Sequence, residues 1–253
     1  MTNKLVYFIG NWKMFGDLTS IKVIKNVEKF YKGFVKYNKK NKIVFCVPNT
    51  LINFLTKNLK SKRISIGAQD CHHYSDYGAF TGSVNASMLK NSGAKYVILG
   101  HSEKRFEGDT NKLIKKKIES ALKKKLTVVF CIGETSKEKK YKKTFSVLKK
   151  QIADSIDKKF DFKKIIIAYE PVWSIGTGNV PKSHDLRNIF KFIKKYFKSN
   201  YKVKSSPPVL YGGSVNERNI SMFPKISEIN GFLIGGSSQS AKKFIAIIKN
   251  YYK

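Results

Sequence analysis

The sequence predicts an α/β fold, a closed (β/α)8 barrel in which parallel strands form a sheet that closes on itself inside a ring of helices. Three observations carry this expectation. The chain has 253 residues, a length at which such barrels form one unit. Eight short β-branched runs alternate with eight amphipathic, lysine-rich stretches, the pattern of repeated βαβ units. The polar and glycine-rich residues gather where the runs end, and that is the face on which barrels build their sites.

The strand runs are Leu5 to Gly10, Ile43 to Val47, Arg63 to Ala68, Tyr96 to Leu99, Thr127 to Ile132, Ile165 to Tyr169, Val209 to Tyr211 and Phe232 to Ile234. Several are apolar throughout, as strands covered on both faces should be. Helices are expected over 18–37, 50–58, 85–91, 110–124, 137–157, 184–199, 216–223 and 240–251. No linker or low-complexity block interrupts the alternation, so residues 1–253 are expected to form a single barrel domain. A doubly wound open sheet is the alternative, but no GxGxxG opens a helix after the first strand.

Composition narrows the class of protein. Apolar residues make up 42% of the chain, and no apolar run approaches the roughly 18–20 residues of a membrane helix. The opening MTNKLVYFIGNWK reads as a first strand and not as a signal peptide. Cys46, Cys71 and Cys131 are far apart with no metal-ligand spacing, so neither a disulfide framework nor a metal site is expected. Reduced thiols fit a cytoplasmic location.

The net charge of +33 raises nucleic-acid binding as an alternative reading, a basic barrel that holds DNA or RNA. Against it, only Arg63, Arg105, Arg187 and Arg218 are arginine, whereas base and phosphate recognition favours the planar guanidinium fork. The lysines run along every helical stretch, as in a chain from an AT-rich genome. They read as solvated faces, with no specific nucleic-acid partner. Positive charge of this kind also steers anionic substrates.

Glu170 ends the sixth strand between Tyr169 and Pro171. A carboxylate there can sit in an apolar pocket, where burial raises its proton affinity toward what a base needs at neutral pH. The plainer reading is an ion-paired strand-end carboxylate. Favouring the base, the next residues Pro171, Val172, Trp173, Ser174, Ile175, Gly176, Thr177 and Gly178 form a lid-like loop that can exclude water. His101 precedes Ser102 and Glu103, which can start a helical turn whose N–H groups occupy the imidazole lone pair and keep the ring neutral. Lys13 and Asn11, after the first strand, offer fixed charge and a hydrogen-bond donor, and Glu103 can hold Lys13 in place. Gly176, Ser214, Gly235 and Gly236 can bring backbone N–H groups against an anion. His72, His73 and His184 read as structural.

In order along the chain stand GNWKMF, GAFTG, GHSEKR, CIGET, AYEPVWSIGTG, YGGSV and GFLIGG. Together they resemble the triosephosphate isomerase family over essentially the whole chain. The resemblance implies a TIM barrel that interconverts dihydroxyacetone phosphate and D-glyceraldehyde 3-phosphate through an enediolate. It implies a place in glycolysis, gluconeogenesis and the pentose phosphate pathway, with no metal or organic cofactor. Glu170 would move the proton, His101 would polarise the carbonyl, and Tyr211 and Ser214 would hydrogen-bond shut the lid that Gly178 closes. The loop from Asp70 to Ser83 would insert into a second copy to make a homodimer, with Thr81 reaching toward Asn11 and Lys13. An isomerase of another small phosphorylated sugar is the enzymatic alternative. The chain departs from the family pattern at Asp70, in a shorter loop over Phe106 to Thr110, at Asn179, Val180 and Pro181 beyond the lid, and at Ser237, Ser238 and Gln239.

Overall fold

In a computed structural model, which describes residues 5–34, 41–59 and 63–253, the eight strands close into one parallel barrel in chain order. They are β1 (Val6–Asn11), β2 (Asn41–Cys46), β3 (Ile64–Ala68), β4 (Tyr96–Leu99), β5 (Thr127–Ile132), β6 (Ile165–Tyr169), β7 (Val209–Tyr211) and β8 (Gly231–Ile234). Closure is made where β1 pairs with β8, from Tyr7 opposite Gly231 to Gly10 opposite Ile234. The seam between β7 and β8 is the thinnest, with Tyr211 opposite Phe232 as its one pair. There the Asn230 side chain takes over the ladder, its Oδ1 accepting from Val209 N–H at 3.1 Å while its own N–H donates to Val209 O at 2.7 Å. The open sheet is excluded, because no strand is left with an unpaired edge.

Period-two alternation sorts the strand residues into two cores. Ile9, Val44, Cys46, Ile98, Val129, Cys131, Ile166, Ala168, Leu210 and Leu233 fill the barrel interior. Their neighbours Phe8, Phe45, Val97, Phe130, Ile167 and Phe232 point outward into a larger core beneath the helices. The strands therefore read as continuous apolar runs because both faces are dry.

Nine α-helices cover the barrel among the described residues: α1 (Ile21–Gly33), α2 (Asn49–Asn58), α3 (Ala86–Asn91), α4 (Ser102–Phe106), α5 (Asn111–Lys123), α6 (Ser136–Lys140), α7 (Thr144–Ser155), α8 (Ser183–Tyr201) and α9 (Ala241–Tyr251). Each long one buries a stripe at helical spacing, such as Leu186, Ile189, Phe190, Ile193 and Phe197 on α8. Truncating one of these to alanine should cost about 2–5 kcal/mol. Lysines occupy most of the opposite faces, where they stay solvated.

Three helix expectations change. The 18–37 helix opens as a 3-10 turn over Leu18–Ser20 capped by Asp17, then runs as α1 to Gly33, and its expected end at 35–37 lies outside the described residues. The 137–157 stretch is two helices, α6 and α7, because Lys142 adopts a left-handed φ of 56° between them. The 216–223 stretch forms only a 3-10 turn over Ile220–Met222. Asn216 Oδ1 accepts from the N–H groups of Arg218 and Asn219, and Asn219 Oδ1 accepts from Asn216 N–H. These local side-chain bonds compete with the helical ladder.

Candidate active site

The carboxyl ends of β1, β4, β6, β7 and β8 surround a cavity of about 440 Å³ lined by Asn11, Lys13, His101, Glu170, Ile175, Gly176, Gly212, Gly213, Ser214, Gly235 and Gly236, among others. Residues far apart in sequence meet here because every strand ends on the same face of a parallel barrel.

Glu170 follows β6 and is 3% exposed. Its Oε1 stands 3.5 Å from His101 Nε2, while its buried Oε2 has no hydrogen-bond partner. Burial raises the carboxyl pKa above its ordinary value, with His101, the Cys131 thiol and the Lys13 ammonium acting in the opposite direction. A poorly solvated carboxylate with an unpartnered oxygen has the proton affinity and the open lone pair that proton transfer needs.

His101 is the N-cap of α4, and its Nδ1 accepts from Glu103 N–H at 3.2 Å. A nitrogen that accepts carries no proton, so the neutral ring keeps its hydrogen on Nε2, facing Glu170 and the cavity. Glu103 Oε2 also stands 3.5 Å from Nδ1, but that approach cannot be a charged pair while the amide donates to the same atom. The expected helical turn is thus present and fixes the tautomer.

Lys13 follows β1 with a left-handed φ of 57°, a conformation that costs about 1–3 kcal/mol outside glycine. Asn11 Oδ1 accepts its backbone N–H at 3.1 Å, and its Nζ meets Glu103 Oε1 at 2.5 Å. Backbone and head group are both tied, which holds Lys13 at the cavity wall.

At the opposite end, Gly235 and Gly236 follow β8, and an added Cβ on either would meet nothing within 4 Å. The Cβ side of both residues is therefore open, and both line the cavity. The turn they begin is stapled to β1: Trp12 Nε1–H donates to Ser238 O at 3.1 Å, and Gln239 Nε2–H donates to Trp12 O at 2.9 Å. Ser238 and Gln239 thus keep this turn docked on β1 by polar means.

The lid lies over this cavity with Ile175 and Gly176 in its wall. Val172–Ser174 form a 3-10 turn. Tyr211 and Ser214 meet the loop at Ser174, whose Oγ lies 2.9 Å from Tyr211 Oη and 3.3 Å from Ser214 N. Asp70, where the family pattern has asparagine, shares the Lys117 ammonium with Asp109, all four oxygens lying within 3.0 Å of Nζ. Thr81 is exposed on the loop that follows.

Three contributors escaped the sequence reading. Glu134, in the CIGET string, is 1% exposed and accepts from Tyr169 Oη at 3.1 Å and Trp173 Nε1 at 2.9 Å, anchoring the lid's first hinge. A carboxylate at a strand end next to an aromatic lid was its only signal. Arg105 donates to Gly100 O, Asn111 Oδ1 and Cys131 O, tying β4 to β5 behind His101. Its rarity as an arginine among lysines could have marked it. Lys243 lines the cavity from the first turn of α9, and nothing in so lysine-rich a chain distinguishes it.

Fold and site together define a (β/α)8-barrel enzyme that sets a buried carboxylate and an imidazole beside a glycine turn at the mouth of the barrel. A sequence model of the triosephosphate isomerase family matches residues 6–251. The triosephosphate isomerase of Dictyoglomus thermophilum is 38% identical over 249 residues, covering 95% of this chain and 97% of that one. That of Dictyostelium discoideum is 38% identical, covering 99% and 98%. The solved triosephosphate isomerase of Bartonella henselae superposes with a TM-score of 0.88 at 34% identity, covering 98% and 99%. The chain belongs to the triosephosphate isomerase family, and it is an isomerase of the TIM-barrel fold. Nothing observed favours the nucleic-acid-binding barrel or an isomerase of a different phosphorylated sugar. No helix among the described residues is long and apolar enough to cross a membrane.

Proposed function

We propose that the chain interconverts dihydroxyacetone phosphate and D-glyceraldehyde 3-phosphate, with Glu170 as the base that carries the proton between C1 and C2. The observation that carries this reading is the Glu170 carboxylate itself: enclosed, raised in proton affinity by burial, and with Oε2 unpartnered beside the cavity. Glu170 takes a proton from C1 of the ketose, and the electron pair moves to the carbonyl oxygen as the enediolate forms. His101 Nε2–H donates to the substrate oxygens and Lys13 supplies positive charge, so the developing anion meets groups already oriented. The hydroxyl proton on O1 passes to O2 by way of His101 Nε2, and Glu170 returns its proton to C2, which leaves the carbonyl at C1 and the hydroxyl at C2. The N–H groups of Gly176, Ser214, Gly235 and Gly236 hold the phosphate, and closure of residues 171–178 excludes water. These steps use protein groups alone.

Residues 1–253 act as one barrel domain in this reading, in the cytoplasm, and as a homodimer. Support for the dimer comes from large apolar side chains left exposed around the cavity mouth and the loop that follows β3: Met14, Phe15, Tyr74, Tyr77, Phe80 and Phe106. A groove of about 370 Å³ beside Lys13 and Glu103 offers the loop that carries Thr81 a place on a second copy.

A coupled assay with each triose phosphate, on wild type and Glu170→Gln, tests the assignment. Wild type should turn over both substrates, and the variant should lose about 10²–10⁴-fold in kcat. Wild-type rates in Glu170→Gln would end it. Sedimentation equilibrium tests the dimer, and a monomer at micromolar concentration would exclude it.

A further inference from the structure

Ser174 is the most completely bonded hydroxyl in the lid. It is fully buried, and its single proton goes to Asn179 O at 2.5 Å. Its lone pairs are then left to accept from Tyr211 Oη–H at 2.9 Å and from Ser214 N–H at 3.3 Å, which uses all the capacity a hydroxyl has. One side chain therefore joins both sides of the lid tip to the turn after β7. That turn comes close only because residue 213 is glycine, where a Cβ would lie 2.6 Å from Ser174 Oγ. The tip between these anchors is bundled by Thr177, whose Oγ1 donates toward Trp173 O and Ser174 O and accepts from Asn179 N–H. It is built to move as a unit about its neck.

Ser214 also lines the cavity. Its one amide proton therefore faces two acceptors, the Ser174 hydroxyl inside the lid and any anion in the cavity. We propose that the Ser174 hydroxyl couples anion binding to lid movement by competing with the substrate phosphate for the Ser214 N–H. The inference rests on the reading of Ser214 as a phosphate contact. A charge-assisted bond to phosphate is roughly twice as strong as a neutral one, and the neutral bond here is long. Phosphate therefore takes the amide and removes one of the two bonds by which Ser174 holds the lid neck on the end of β7 and the turn after it. Substrate arrival loosens the lid at the moment it must swing across. Ser174 is a positioning residue: it acts through the lid and the amide and touches no reacting atom.

The test uses inorganic phosphate as the probe and fluorine NMR of 5-fluorotryptophan protein. The chain has two tryptophans: Trp173 lies in the lid next to Ser174, and Trp12, fully buried below the anion-facing turn, reports that the barrel is folded. In wild type, phosphate should shift the Trp173 resonance with the same midpoint as binding measured by calorimetry. Ser174→Ala frees the amide in advance. It should bind phosphate about two- to five-fold more tightly, the scale of one weak neutral hydrogen bond. Its Trp173 resonance should already lie near the phosphate-bound position before any phosphate is added. Ser174→Cys, similar in volume but a poor acceptor, should behave the same way and serves if the alanine variant does not fold. Unchanged affinity, or a full wild-type shift of Trp173 in a folded variant, overturns the coupling and leaves the anion site standing. Absence of phosphate binding to wild type overturns the anion-site reading and the coupling with it.

Discussion

A Cβ at Gly212 would lie 2.6 Å from Glu170 Cγ, closer than real carbon contacts allow, so the turn after β7 fixes where the Glu170 side chain can stand. The neighbour that must yield is the Glu170 side chain itself. Gly212→Ala should fold, since the clash is with one side chain, yet displace the carboxylate by about an ångström. A misplacement of that size costs on the order of 10²-fold in rate. Steady-state kinetics should show the loss in kcat with KM little changed, and a variant within a few-fold of wild type would show that Glu170 is not held by this contact.

Burial raises the Glu170 pKa above the ordinary carboxylate value. The sign follows from linkage. A carboxyl with a raised folded-state pKa favours the protonated native state, so its ionisation destabilises the fold, and the penalty grows as pH rises from the unfolded value through the folded one. Glu170→Gln removes that penalty. The variant should melt higher than wild type at pH 7, by roughly 2–4 °C per kcal/mol in a chain of this size, and the gain should vanish below about pH 4. Thermal melts across pH 3–8 would decide it, with a variant that melts lower at neutral pH as the contrary result. Activity of the wild type should fall on the acid side at a pH above the ordinary carboxylate range.

Glu103 touches Lys13 and approaches His101, which admits either a positioning or a proton-transfer role. Its side chain is about half exposed, so the ion pair with Lys13 is worth at most about 1 kcal/mol. Glu103→Gln should therefore lower kcat/KM by no more than ~5-fold, with a pH profile shaped like that of wild type. A loss of 10² or more would place Glu103 on the proton path.

Glu134 holds two donors at once, the buried Tyr169 Oη and the half-buried Trp173 Nε1, and Lys139 Nζ sits 3.1 Å from the centre of the Trp173 ring. Glu134→Ala would leave both donors unpaired, at about 1–3 kcal/mol each. Glu134→Gln keeps an acceptor and should cost much less. Circular dichroism melts of the two variants should separate by several degrees. Equal melting temperatures would mean that the hinge does not depend on this carboxylate.

The sequence by itself determined the barrel and most of the site. The strands β4, β5, β6 and β7 are legible from β-branched runs to the residue, because an apolar run between turn residues has one inexpensive solution when helices flank it on both sides. His101 as a helix N-cap was legible too, since a cap is a local arrangement of three residues. The division of 137–157 was not, because the left-handed Lys142 is a backbone choice to which a lysine gives no sign. Nor was the short turn at 220–222, where asparagine side chains outbid the helical ladder. Tertiary structure alone decided the contacts between strand ends: Glu134 with Trp173, Gly212 against Glu170, and the Ser214 amide with Ser174. Each depends on how closely two strand ends approach once the barrel closes. That distance is set by the register of all eight strands together, and no local stretch of sequence encodes it.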